Sequence, residues 1–136
     1  MKIYLLISTL IILSCNAQNK DYHKILKELD SDRQSKLDTG NFMLETEREY
    51  ALKLYSLTKV IYVDLSNVKN DEELNLDVEQ NKWEVEYKSR LKKIWSKLEE
   101  ANSELGFISN DDKMFAYSEQ AQLTQKRILE LINEFN

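Results

Sequence analysis

The sequence predicts an all-α protein, an antiparallel bundle of three long helices to which a short N-terminal segment can add a fourth. Two observations lead to this fold class. The chain of 136 residues has no proline and only two glycines, Gly40 and Gly106, while Leu, Glu, Lys and Gln, which favour helices, are plentiful. Apolar residues also recur at steps of three and four over long stretches, which is the period of one helix face.

The first segment, Asn19 to Asp38, is polar but places Tyr22, Ile25, Leu26 and Leu29 at helical spacing. This spacing predicts either a short first helix or a tether. The sequence SDRQSKLDTGN at residues 31–41 then predicts a linker, with a turn at its glycine.

The second segment is a long amphipathic helix. From Phe42 to about Val68 the apolar residues follow steps of three and four, which predicts about six or seven turns. The sequence NVKNDEE at residues 67–73 interrupts this pattern, and Asn70 or Asp71 can cap the next helix.

The third segment has the most regular pattern, and a fourth follows it. One helix face carries the residues Leu76, Gln80, Trp83, Tyr87, Leu91, Ile94, Leu98, Ala101 and Leu105. This face predicts a helix of about 30 residues and about 45 Å, with Gly106 at its C-cap. Ser109 and Asp112 form a capping-box-like start for a last helix from about Asp111 to Phe135. Short connections predict that the helices pack antiparallel.

The N-terminus has the pattern of a secretory signal. Lys2 supplies a positive charge, and the eleven residues 3–13 are almost wholly apolar. They are too few for a helix across a bilayer, which needs about 20 residues. Their number fits the apolar region of a signal peptide.

The end of this stretch, Ile-Leu-Ser-Cys at residues 12–15, resembles the bacterial lipobox. In lipobox chemistry the cysteine thiol receives a diacylglycerol and the leader is removed, so we expect a lipoprotein signal peptide at residues 1–14 and lipidation at Cys15. Two alternatives stay open: ordinary signal cleavage after Ala17, and a buried N-terminal helix retained in the fold. Asn16 is not the Asp that retains enteric lipoproteins in the inner membrane. We therefore expect a bacterial envelope protein anchored in the outer membrane and facing the periplasm, or otherwise a secreted or periplasmic one.

Both kinds of signal leave the mature chain without a free thiol, because cleavage removes Cys15 and lipidation blocks it. The protein must then be held together by packing, without a disulfide, in an oxidising compartment. About 120 residues remain, which is enough for one domain with a core. We divide them into a tether and short helix at residues 15–41 and a helical bundle domain at residues 42–136.

The residue inventory argues for binding and against catalysis. The formal net charge of −5 is the opposite of the basic balance of a nucleic-acid-binding protein, although it is compatible with a basic partner. His23 is the only histidine and lies in the tether. The chain thus lacks the Glu-x-x-His pairs of a di-iron bundle, the ligands of a structural zinc site, a catalytic triad and a glycine-rich phosphate loop. We expect no catalytic residues, no cofactor and no metal.

Two stretches resemble the signature blocks of the LprI-type lysozyme inhibitor family, whose members are small secreted helical domains and often lipoproteins. The first is LDVEQNKW, in which Leu76, Gln80 and Trp83 match the family's spacing. Tyr87 stands four residues after the tryptophan, where the family has an aromatic residue at three.

The second block, LTQKRILEL, matches the family pattern L-T-x-x-R-x-x-E-L at Leu123, Thr124, Arg127, Glu130 and Leu131. The family usually carries paired cysteines near these blocks, and this chain has none there. The resemblance spans about residues 43–132. It implies a helical fold and inhibition of a lysozyme by occlusion.

The candidate partner-binding residues are Gln80, Trp83, Tyr87 and Arg127, and each also has a structural interpretation. Trp and Tyr bury large apolar areas in a core, and Gln80 would then hydrogen-bond a neighbouring helix. Arg127 would form an inter-helix ion pair with a Glu. Thr124 would bond back to the carbonyl four residues earlier.

These observations together predict a lipid-anchored envelope protein that acts by protein–protein binding. The expected partner is a lysozyme or another basic envelope protein, attracted by the acidic chain. The membrane is contacted through the N-terminal lipid, and no nucleic acid is involved. The alternative function is an envelope scaffold or adaptor bundle without lysozyme inhibition.

The lipobox generates a direct prediction. Replacing the modified residue (Cys15→Ala) should abolish both membrane fractionation and acyl labelling, because the lipid is attached to this thiol. The measurement is incorporation of radiolabelled palmitate by the wild-type and variant chains. If the wild-type chain takes up no label, the lipoprotein interpretation fails and soluble export through Ala17 replaces it.

Overall fold

The computed structural model of the protein describes residues 20–69 and 75–135. These residues form four helices and no strand, which confirms the predicted all-α bundle. The helices are α1 (Tyr22–Leu37), α2 (Met43–Val68), α3 (Leu76–Ala101) and α4 (Asn110–Asn133). The predicted signal peptide at residues 1–14, the lipidation site Cys15, the cleavage site at Ala17 and the caps Asn70 and Asp71 lie outside the described residues.

Helices that follow one another in the chain run antiparallel. Tyr22 at the start of α1 bonds to Asp64 near the end of α2, and Arg33 near the end of α1 pairs with a residue near the start of α2, Glu47. Successive contacts between α3 and α4 also run in opposite directions along the chain, from Gln80–Arg127 to Trp95–Tyr117. Contacts between α2 and α3 run in opposite directions too, from Tyr62–Asp77 to Tyr55–Tyr87. Since α3 is antiparallel to both α2 and α4, α2 and α4 run parallel to each other.

The parallel pair α2 and α4 forms the centre of the bundle and makes its most extensive helix contact among the described residues. Most of the buried residues of this pair are small or branched, among them Ala51, Leu54, Thr58, Ile61 and Leu65 from α2, and Ala121, Thr124, Ile128, Leu131 and Ile132 from α4. Small side chains allow two helix axes to approach closely, and α2 and α4 are therefore in contact along much of their length. The other two helices, α1 and α3, pack on the outside of this pair.

Buried threonines are tolerated in this centre because the hydroxyl of each donates a hydrogen bond to a backbone carbonyl of its own helix. Thr124 donates to the carbonyl of Gln120, and Thr58 donates to the carbonyl of Leu54, both at 3.0 Å. Both threonines are 0% exposed. The predicted back-bond of Thr124 is confirmed, and it removes the cost of an unpaired hydroxyl in an apolar interface.

The first helix belongs to the bundle. Tyr22 and Leu26 are both 6% exposed and lie in the main core cluster. Of the two alternatives for this segment, the helix is therefore correct. The predicted linker at residues 31–41 is wrong in its first part, because α1 continues to Leu37 and the turn at Gly40 begins only at Asp38. Arg33, which pairs with α2, holds this last part of α1 in the helix.

Three tyrosine hydroxyls join neighbouring helices by donating hydrogen bonds to aspartates. Tyr22 donates to Asp64 and Tyr50 donates to Asp30, and both bonds link α1 to α2. Tyr62 of α2 donates to Asp77 of α3. Burial, with the bonded aspartate as a second cause, raises the pKa of Tyr22 and of Tyr50 well above their usual range. These hydroxyls therefore stay protonated at neutral pH, and their stabilising contribution is lost only as the pH rises above about 10.

The third helix ends earlier than its apolar pattern predicts. It stops at Ala101, and Gly106, with φ of +72°, lies in the loop beyond, so the predicted C-cap glycine is wrong. Asn102 ends the helix because its side-chain amide donates to the carbonyl of Leu98 at 2.9 Å and to Asp112 at 3.3 Å. The predicted start of α4 is confirmed, since the Ser109 hydroxyl accepts from the backbone N–H of Asp112 at 3.1 Å.

The central pair generates a prediction with a matched control. Leu54 is 0% exposed, and Leu52 in the same helix is 50% exposed. The substitution Leu54→Ala should lower the free energy of unfolding by about 2–5 kcal/mol, because it leaves a cavity between α2 and α4. The substitution Leu52→Ala should change it by less than about 0.5 kcal/mol. Urea denaturation of both variants measures the difference, and equal losses would contradict the close packing of α2 on α4.

Candidate functional site

A groove of about 240 Å³ runs between α3 and α4, and we call it the α3/α4 groove. Both helices contribute long polar side chains to its walls, together with two aromatic rings. The lining residues are Glu79, Lys82, Trp83, Glu86, Tyr87 and Arg90 of α3, and Leu123, Lys126, Arg127 and Glu130 of α4. Three of the four candidate partner-binding residues therefore line one groove, and the fourth, Gln80, bonds to one of them.

Three stacked aromatic rings connect this groove to α2. Tyr87 stacks on Trp83 with ring centroids 4.9 Å apart and on Tyr55 of α2 at 5.2 Å. Tyr87 is buried, whereas Trp83 and Tyr55 are half-buried. Lys59 lies over the Tyr55 ring, 4.6 Å from its centroid. The stack fixes the orientation of Trp83 and leaves part of its surface open to a ligand.

Gln80 and Arg127 join the two family-like sequence blocks across α3 and α4. The Gln80 side-chain oxygen accepts from the Nε of Arg127 at 3.2 Å and from its Nη2 at 3.1 Å. The predicted bond of Gln80 to a neighbouring helix is therefore confirmed. The predicted inter-helix ion pair of Arg127 is wrong: its carboxylate partner is Glu130 of the same helix, at 3.4 Å, because a neutral amide occupies the facing position on α3.

The Tyr87 hydroxyl is the one buried side-chain polar atom among the described residues that has no hydrogen-bond partner. Its ring is 5% exposed. Burial raises the pKa of Tyr87, and the approaching side chains of Thr124 and Gln120 lower that pKa by less. These two side chains lie near the hydroxyl without the geometry of a hydrogen bond.

Three residues that contribute to the site, Tyr55, Arg90 and Lys126, were not predicted from the sequence, because their positions on helix faces indicated a site only weakly. Tyr55 belongs to the apolar face of α2, but only the fold shows that it stacks on α3. Arg90 and Lys126 lie on polar helix faces, where charge alone does not distinguish a groove wall from a solvated surface. Trp95, which contacts Tyr117 of α4 in an edge-to-face arrangement with centroids 5.4 Å apart, lies outside the groove.

The described part of the chain contains no cluster of His, Cys, Asp or Glu side chains that could hold a metal ion. Within the same residues no helix has the length and apolar character needed to cross a membrane. Comparisons with protein-family models, with curated proteins and with solved structures find no match to this chain.

Two buried tyrosines provide a matched prediction about the stability contributed by a hydrogen-bonded and by an unbonded hydroxyl. Tyr87 and Tyr50 are 5% and 7% exposed, but only Tyr50 donates a hydrogen bond, to Asp30. The substitution Tyr87→Phe should leave the free energy of unfolding unchanged or raise it, because it removes a buried hydroxyl that has no partner among the described residues, whereas Tyr50→Phe should lower it by about 1.5–3 kcal/mol. Urea denaturation at neutral pH measures both. A loss for Tyr87→Phe as large as that for Tyr50→Phe would mean that the Tyr87 hydroxyl donates a bond in solution.

Proposed function

We propose that this protein is a lipid-anchored envelope binding protein that uses the α3/α4 groove to contact another protein and performs no catalysis. The observation that carries the proposal is the joining of the two LprI-like blocks in one groove, through Gln80 and Arg127. A helical domain whose two family-like segments converge on a single surface has the arrangement expected of a binding site.

The composition of the groove suits protein recognition. Trp, Tyr and Arg are the residues that most often dominate binding energy at interfaces, and Trp83, Tyr87 and Arg127 supply all three types here. The Trp83 ring is held by its stack on Tyr87, so little conformational freedom is lost when a partner covers it. The binding energy of this surface should therefore be concentrated near Trp83.

A lysozyme or another basic envelope protein is the partner we propose. The chain as a whole carries a net charge of −5, whereas the groove lining combines three carboxylates with four cationic side chains. The attraction of a basic partner therefore rests on the charge of the whole chain. A net negative chain accelerates the approach of a basic protein by long-range attraction, while contacts inside the groove determine how slowly it leaves.

A lipid on Cys15 would place the groove in the half of the bundle nearer the membrane. Six residues lie between Cys15 and Tyr22, and the seven steps of chain from one to the other reach at most about 25 Å. The start of α1 lies beside the end of α2, and Tyr62 near that end contacts Asp77 at the start of α3. The first half of α3, which lines the groove, therefore lies at the tethered end, and a partner would approach from the side.

An envelope scaffold is the second candidate function, and a different surface supports it. Because α2 and α4 run parallel, both begin at the end of the bundle away from Tyr22. That end exposes Phe42, Leu105, Phe107 and Phe115 by 85%, 64%, 65% and 73%. Phe42 also has φ of 53°, which is unusual for a bulky residue. A scaffold would use these exposed apolar side chains for contacts between envelope proteins.

The test is binding and inhibition of several lysozyme types by the soluble domain beginning near Asp21. We expect slower lysis of cell-wall substrate in a turbidity assay and binding by surface plasmon resonance. The substitution Trp83→Ala should weaken binding at least tenfold. Trp95→Ala is the matched control, because Trp95 is also half-buried but lies outside the groove.

Raising the salt concentration from about 50 to 300 mM shortens the screening length from about 14 to about 6 Å, so the association rate should fall. If no lysozyme binds at low salt and micromolar protein, the inhibitor proposal is wrong and the scaffold replaces it. Binding without inhibition would place the contact away from the catalytic cleft of the enzyme. Capture of an envelope complex that depends on Phe107 would favour the scaffold.

A further inference from the structure

The guanidinium group of Arg127 is buried beside a neutral partner. Arg127 is 7% exposed and Gln80, the residue that faces it on α3, is 5% exposed. A buried charge is costly unless an opposite charge or a full set of hydrogen bonds compensates it. The Gln80 oxygen supplies only a dipole, and the one carboxylate paired with Arg127, that of Glu130, is 3.4 Å away and itself 48% exposed to solvent. The protein therefore compensates this buried charge only in part.

Some N–H groups of the Arg127 guanidinium form no hydrogen bond within the described part of the protein. Arginine carries five N–H groups, and three hydrogen bonds from Arg127 are formed, two to Gln80 and one to Glu130. The bond to Glu130 is long, at 3.4 Å, and the Glu130 side chain is 48% exposed. Two N–H groups therefore have no acceptor among the described residues, and Arg127 is part of the lining of the α3/α4 groove.

The other charges of the groove limit what can bind there. Lys82, Arg90 and Lys126 join Arg127 on the walls, opposed by Glu79, Glu86 and Glu130. The lining thus has four positive and three negative groups. Such a balance favours a ligand with a single negative charge, because a polyanion would be repelled by the three carboxylates.

An apolar wall lies beside the buried guanidinium. Trp83, half-buried, and Leu123 line the same groove. A planar guanidinium binds a carboxylate through two parallel N–H bonds, and an indole face packs well against an aliphatic side chain. The groove therefore suits a carboxylate that has an apolar group next to it.

We propose that Arg127 forms the floor of a carboxylate-binding subsite in the α3/α4 groove, which takes the acidic side chain or the C-terminal carboxylate of a peptide segment next to an apolar residue packed on Trp83. The proposal deepens the proposed function, because it uses the same groove and names the chemistry of the group that the partner inserts. It requires no particular partner protein.

The experiment uses the full chain in detergent micelles with the substitution Trp95→Phe, which leaves Trp83 as the only tryptophan and as a fluorescence reporter. Three peptides of equal length serve as probes. Ac-Leu-Glu-Leu-NH2 carries a side-chain carboxylate, Ac-Leu-Gln-Leu-OH carries a C-terminal carboxylate, and Ac-Leu-Gln-Leu-NH2 carries no charge. At least one charged peptide should bind at least tenfold more tightly than the neutral one, and the stronger of the two identifies the source of the carboxylate.

The substitution Gln80→Glu provides a specific test, because it gives Arg127 a carboxylate of nearly the same shape from within the protein. Affinity for the charged peptide should fall at least tenfold while the thermal midpoint stays the same or rises. Gln34→Glu adds the same charge on exposed α1, outside the groove, and should leave the affinity within about twofold. Equal affinity for charged and neutral peptides, or unchanged affinity after Gln80→Glu, would overturn the subsite.

The outcome separates this subsite from the proposed function. Charged-peptide binding by a chain that binds no lysozyme supports the subsite and refutes the inhibitor. Lysozyme binding without a preference for charged peptides refutes the subsite alone.

Discussion

The contact between the parallel helices α2 and α4 determines how the rest of the bundle is arranged. Small residues such as Ala51, Ala121 and the self-bonded Thr58 and Thr124 let these helices approach closely. Two helices in such close contact leave only the sides of the pair for further packing. Helix α1 occupies one side through buried residues and Tyr–Asp bonds, and α3 occupies another. This arrangement needs no disulfide, and helix packing with cross-helix hydrogen bonds supplies the connections.

The α3/α4 groove follows from the way α3 is attached. Its buried residues are Leu76, Gln80 and Tyr87, all in its first half, whereas the second half is at most half-buried. The large rings of Trp83 and Tyr87 fill the space between α3 and the central pair, stacked on Tyr55. Bulky side chains at a helix contact hold the helix axes apart. The groove is therefore a consequence of attaching α3 through aromatic rings, and the same rings become its wall.

Much of the fold could be predicted from sequence, but the site only in part. Helix periodicity gave the bounds of α2 to within one residue and identified Ser109 as the cap of α4, because both features depend on local sequence. The length of α1 was missed, since its last turn is held by Arg33 pairing across to α2. The four candidate residues converge in the structure, yet the neutral partner of Arg127 was not foreseen. Which residue faces Arg127 depends on the register of two helices, and periodicity alone does not specify a register.

Native-state hydrogen exchange tests this account most directly, because it measures how each helix opens. We expect the backbone amides at residues 54–65 of α2 and 121–131 of α4 to exchange only through global unfolding, since both helices are buried on their shared side. Amides at residues 88–101 of α3 should exchange through local opening at lower free energy, because no residue there is buried. Equal protection in all three segments, or earlier exchange in α2 and α4 than in α3, would contradict a bundle organised around the central pair.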